Sequence, residues 1–200
     1  MLLNRIYQWT RILFVLIIAF SCGTENEKPV NLDDPRVVKN IASDLIADKI
    51  KFTSSGYFSS DLKLSIVAGT ESPENNQWGI KFKLIEKVND KFQVVYSTDK
   101  LEGSFDKCIV DKMKLSTFKG ELVYYNSQDY YMGTGGGDVF SYIINFVNSE
   151  VYYAHLIAEK SFGASLFLSE NIQDPMLRKF FISYFKKDYP SLRIIKSDVL

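Results

Sequence analysis

Residues 12–20 (ILFVLIIAF) form an unbroken apolar run of nine, preceded by Arg5 and Arg11 with no acid between them and followed by small residues. A helix that crosses a bilayer needs about 20 apolar residues, and Arg11 interrupts any extension toward the N-terminus. A positive head, a short apolar body and a small-residue end predict a secretory signal peptide over residues 1–21. Residues 22–34 add a cysteine and then a polar stretch with one Gly and one Pro. That composition predicts a flexible tether. From residue 35 the pattern becomes that of one folded domain, running to residue 200.

Asp34-Pro35 is a helix start: an acid that caps, then a proline at the first helical position. Val38, Ile41, Ala42, Leu45, Ile46 and Lys49 follow at helical spacing, predicting a helix over residues 35–51. The period then changes. Leu62, Leu64 and Ile66 alternate with polar residues, as in a half-buried strand. Ser72-Pro73-Glu74-Asn75-Asn76 is a loop. Trp78, Ile80, Phe82 and Leu84 alternate on one side of a turn at residues 88–91. Phe92, Val94 and Tyr96 alternate on the other, predicting a hairpin. Residues 99–118 fit no single period. Further strands are expected at residues 121–125, around Tyr130-Tyr131-Met132, and at 138–147, 151–158 and 162–168, the last three as a meander. Asp174-Pro175 repeats the helix start. Leu177, Phe180, Phe181, Tyr184 and Phe185 then form a broad apolar stripe flanked by Arg178, Lys179, Lys186 and Lys187. That stripe reads as packing against a sheet. Pro190 ends the helix, and Leu192, Ile194 and Ile195 suggest a short last strand. The order predicts an α+β domain: an antiparallel meander sheet or open barrel, flanked by an N-terminal and a C-terminal helix on one side.

Composition narrows the function classes. Lys+Arg and Asp+Glu are 24 each in 200 residues. Without the signal segment, 22 basic residues face 24 acidic ones, a net of −2. A nucleic-acid partner is therefore not expected. A single histidine excludes multi-histidine metal sites, and two cysteines build no disulfide scaffold. No metal and no cofactor is predicted.

Cys22 follows the apolar run in Ala19-Phe20-Ser21-Cys22-Gly23, which resembles the lipobox of bacterial lipoproteins. Ala19 stands where that pattern usually has Leu, and Phe20 where it has a small residue. The resemblance implies that the Cys22 thiol receives a diacylglyceryl group and becomes the acylated first residue. It also implies a cell-envelope location, at the outer membrane, with the bilayer as partner through the lipid. Glu25 and Glu27 resemble the acidic surface-export signals of Bacteroidota lipoproteins. Gly23 in place of Asp argues, by the same resemblance, against retention in the inner membrane. Ala19-Phe20-Ser21 also satisfies cleavage for soluble secretion, so a secreted protein beginning at Cys22 stays open.

The remaining residues of chemical interest are few. Residues 133–138 (GTGGGD) lack the Gly-Lys-Ser/Thr ending of a phosphate loop and read as a hairpin loop, with a ligand loop as the alternative. The doublets Tyr124-Tyr125, Tyr130-Tyr131 and Tyr152-Tyr153 would each place one ring inward and one outward on a strand. Outward rings would form a platform for a glycan or protein; inward pairing is ordinary packing. His155 lies in an apolar stretch and reads as structural. Cys108 reads as a small buried hydrophobe. Phe162-Gly163-Ala164-Ser165-Leu166 lacks the second glycine of a nucleophile elbow. Among Asp61, Asp106, Asp111, Glu121 and Asp138, nothing selects a catalytic pair. No catalytic residue is assigned. The sequence thus favours a lipid-anchored, non-catalytic domain that binds a protein, glycan or small apolar ligand. An envelope hydrolase using carboxylates and tyrosines and an assembly accessory are the alternatives.

Overall fold

The computed structural model describes residues 30–71, 79–127, 136–159 and 163–196. Residues 31–200 form one compact unit. The α+β class and the two flanking helices stand, but the strands divide into two sheets, and neither closes into a barrel.

Helix α1 (Pro35–Leu45) begins as the Asp-Pro pair requires: the Asp34 carboxylate accepts the Arg36 N–H at 2.9 Å. The helix is shorter than its apolar spacing implies. Ile46 turns to an extended backbone (φ −122°), and β1 (Lys49–Gly56) takes the residues predicted as its last turn. The reason is tertiary. Residues 49–56 complete an antiparallel ladder with β2 (Ser65–Glu71), and ladder bonds outweigh a weak local helical preference. Strand β2 also begins later than its alternation suggested. All seven of its residues are buried, because both of its faces are covered. A strand of that kind carries no polar alternate to betray it. Strands β3 (Ile80–Val88) and β4 (Lys91–Ser97) form the predicted hairpin. Asn89 and Asp90 take φ of 49° and 63° at the turn, the conformation a two-residue hairpin prefers. Strands β1–β4 make a four-stranded sheet in chain order.

The second sheet has six strands: β5 (Cys108–Met113), β6 (Leu122–Ser127), β7 (Gly136–Asn145), β8 (Glu150–Glu159), β9 (Gly163–Leu168) and β10 (Arg193–Lys196). Neighbours from β5 to β9 pair in sequence and antiparallel. The chain then crosses through helix α2 (Pro175–Lys186) and returns so that β10 lies parallel to β9. Asp174 caps this helix by accepting from the Met176 and Leu177 N–H groups at 2.8 and 2.9 Å. The predicted loop at residues 72–76, Trp78 and the strand around Tyr130–Met132 lie outside the described residues.

Three hydrophobic clusters give four layers. Val38, Ala42 and Ile46 of the α1 segment pack on Ile66, Ala68 and Ile85, the outer face of the four-stranded sheet. Val67, Phe82 and Leu84 on its inner face meet Val123, Tyr125, Tyr142 and Ile144 of the six-stranded sheet. The far face of that sheet, including Tyr124, Ile143, Leu156 and Leu166, receives Leu177, Phe181 and Phe185 of α2. The helices therefore occupy opposite outer faces, where the sequence reading had both on one side. Two sheets cover each other's inner faces, so each needs only one helix outside.

A strap over residues 101–107 joins the sheets. The Tyr125 hydroxyl donates to the Ser104 carbonyl at 2.7 Å and accepts the Ser104 N–H at 3.0 Å. Gly103 takes φ +136° there, and a Cβ would stand 2.3 Å from that hydroxyl. The Glu71 carboxylate accepts the Phe105 N–H at 2.6 Å and pairs with the Lys51 ammonium at 2.9 Å. Burial works to raise the Glu71 pKa, but the Lys51 ammonium and the Phe105 N–H outweigh it and hold the carboxyl below its ordinary value.

Candidate functional site

The tyrosine doublets are resolved by the layers. Tyr124 and Tyr125 do point to opposite faces, but both faces are covered. Tyr124 packs edge-on against Phe180 at 5.1 Å, and Tyr125 packs against Phe82 at 6.1 Å. Tyr152 and Tyr153 divide in the same way between the α2 cluster and the inter-sheet cluster. Burial pushes the Tyr124, Tyr142 and Tyr152 hydroxyls upward, away from ionisation. These rings form cross-strand packing rather than an outward platform. Tyr130 and Tyr131 lie outside the described residues. Cys108 is half-buried at the start of β5 and packs against the inter-sheet core.

His155 is built into a pair that its sequence context hides. The register sets Phe140 of β7 directly opposite His155 of β8 and places Phe167 of β9 on its other side. Asp138 is two residues before Phe140, so it shares that face of the sheet. The imidazole Nε2 is 2.8 Å from Asp138 Oδ1, and its ring stacks on Phe140 at 4.5 Å. The His155 side chain is 17% exposed and the Asp138 side chain 52% exposed. When the imidazole donates its Nε2–H to this carboxylate in the neutral form, the lone pair is on Nδ1. Such a pair can accept a proton from a water or hydroxyl that reaches Nδ1. Ser165 of β9 is engaged elsewhere: its Oγ accepts from Nε and Nη2 of Arg193 at 3.3 and 3.0 Å. Asp138 was one acid among several in the sequence. Its pairing with His155 is a matter of strand register, which no local motif encodes. Asp61, by contrast, is held at about 2, first by the Lys63 ammonium and then by the Ser59 hydroxyl, in an exposed turn. Among the described residues, no group of three or more His, Cys, Asp or Glu side chains is placed to hold a metal ion. Nor is any described helix long and apolar enough to cross a membrane.

A second surface lies on α2. The buried stripe of this helix is narrower than its apolar spacing: Leu177, Phe181 and Phe185 are inside. Phe180 and Tyr184 stay half-buried at its edge, and Met176 is 41% exposed. With Lys179, Ser183 and Lys187 they line an open furrow of about 400 Å³. Its floor is fixed from below. Tyr184 donates to Asn126 Oδ1 at 3.4 Å and lies edge-on to Tyr124, while its ring stacks with Phe180 at 6.3 Å. Lys187 Nζ stands 6.0 Å from the Tyr184 ring centroid. No carboxylate among the described residues forms an ion pair with Lys179 or Lys187. Among the described residues, the furrow thus has an aromatic and thioether floor, a cationic rim and no acid in its lining. The apolar spacing of residues 177–185 gives the stripe whole and does not divide it into core and edge. No protein-family model, curated protein or solved structure matches the chain.

Proposed function

We propose that this chain is a lipid-anchored cell-envelope protein whose folded part is a binding domain without catalytic activity. The α2 furrow carries the reading. Phe180 and Tyr184 pack only partly against the α2 cluster and, with Met176, remain reachable beside Lys179 and Lys187, which form no ion pair with a carboxylate among the described residues. Rigid aromatic groups next to fixed charge are what recognition surfaces keep exposed. The anchor rests on Cys22 behind its short apolar run, with the outer membrane as the expected location. Each buried CH₂ of an attached chain contributes about 0.8 kcal/mol, so two or more acyl chains hold a domain at a bilayer where one holds it only marginally. Replacing Cys22 by Ser is expected to abolish incorporation of radiolabelled palmitate and to move the protein from membrane to soluble fractions. Membrane retention equal to wild type would overturn the anchor.

The His155–Asp138 pair favours a second reading, an envelope hydrolase. Turnover of p-nitrophenyl butyrate decides between them. The binding reading expects no rate above background. Hydrolysis lost in both His155→Ala and Asp138→Asn would establish the hydrolase instead.

A further inference from the structure

We infer that the α2 furrow is a docking site for an acidic amphipathic helix of a partner protein. The inference rests on the reading of that furrow as a binding surface and does not depend on the lipid. Met176, Phe180 and Tyr184 stand at i, i+4 and i+8, and Lys179, Ser183 and Lys187 form the adjacent row with the same spacing. Rows of that spacing are the ridges of a helix, and the groove between two of them accepts the i, i+4 ridge of another helix. Ser183, the smallest side chain in the second row, deepens the middle of the groove. Lys179 and Lys187 are eight residues apart, roughly 12 Å along the axis at about 1.5 Å per residue. They match two acids placed two turns apart on the incoming helix. The floor is already ordered by Tyr124 and Asn126, so docking freezes few side chains.

Charge argues against a second copy of this chain as the occupant. Two α2 helices packed on each other would oppose lysine to lysine, and the exposed side of α1 carries Arg36 and Lys39 beside Asp44.

The test uses the full chain in phosphatidylcholine nanodiscs and a fluorescein-labelled 21-residue helical peptide. The peptide carries leucines at i, i+4 and i+8 and two glutamates eight residues apart. A scrambled peptide and a lysine-for-glutamate peptide serve as comparisons. Anisotropy is expected to show the acidic helix bound at least tenfold tighter than either. K179E/K187E is expected to reverse that preference with an unchanged melting temperature. Phe180→Ser is expected to weaken binding of the acidic helix, and C22S, assayed in buffer, to bind as wild type does. Equal binding of all three peptides overturns the proposal, as does a preference that K179E/K187E leaves intact. Binding of C22S to anionic vesicles that K179E/K187E abolishes, with no peptide preference, would assign the furrow to lipid. Failure of the anchor shows instead as unchanged fractionation of C22S, so the two readings fail separately.

Discussion

Phe181→Ala is expected to lower the free energy of unfolding by about 3–5 kcal/mol, the cost of truncating a large ring where neighbours cannot collapse into the gap. Phe181 is wholly inaccessible to solvent and belongs to the cluster that holds α2 on the six-stranded sheet. Leu156 and Leu166 come from the sheet side, and Leu177 and Phe185 from its own helix. Rigid strands fix the sheet side, so a void would stay largely open. A domain of this size has a net stability of about 5–15 kcal/mol, so the loss is a large share of the total. Urea unfolding measures it directly, as a lower midpoint at similar slope. Phe180, one residue away, is only half-buried at the edge of the apolar stripe, and Phe180→Ala is expected to cost less than half as much. If Phe181→Ala cost under about 1 kcal/mol, α2 would not be packed as described.

Gly136→Ala is expected to destabilise the domain by about 2–4 kcal/mol and to disturb the His155–Asp138 pair. Gly136 has φ +141°, a conformation that costs an L side chain about 1–3 kcal/mol. A Cβ there would also stand 2.0 Å from the Ala158 carbonyl oxygen. Backbone cannot move aside as a flexible side chain can, so the start of β7 must separate from β8. That breaks the pairing of Gly136 with Glu159 and strains the next pair, Gly137 with Ala158. Asp138 follows immediately, and its carboxylate is expected to move away from Nε2 of His155. Amide hydrogen exchange at Gly137 and Ala158 should accelerate, and the His155 ring resonances should shift. Stability within about 0.5 kcal/mol of wild type, with unchanged ring resonances, would contradict this account.

The two Asp-Pro starts were legible because capping is a local matter: the carboxylate reaches N–H groups only two or three residues on. The β3–β4 hairpin was legible for a similar reason, since Asn89-Asp90 accepts the positive φ that the turn requires. The apolar spacing over residues 35–51 implies too long a helix, because residues 49–51 are claimed by a partner strand about twenty residues farther along the chain, as in Ile50 with Thr70 and Lys49 with Glu71. The strand at 62–66 was misplaced for the complementary reason. An element buried on both faces has no periodicity, whereas Leu62 and Leu64 alternate yet remain exposed.

From composition, capping and periodicity alone came the α+β class, the flanking helices and most strand segments, since these depend on neighbours along the chain. The expectation of a lipid at Cys22 is also purely sequential, since processing enzymes read a short linear signal. Contacts between distant residues fixed the rest. They split the strands into two sheets, turned both members of each described tyrosine doublet inward, joined Asp138 to His155, and left one edge of the α2 stripe uncovered. Each of those outcomes depends on which face of a strand or helix another layer covers, and covering is a property of the assembled layers that no single segment carries.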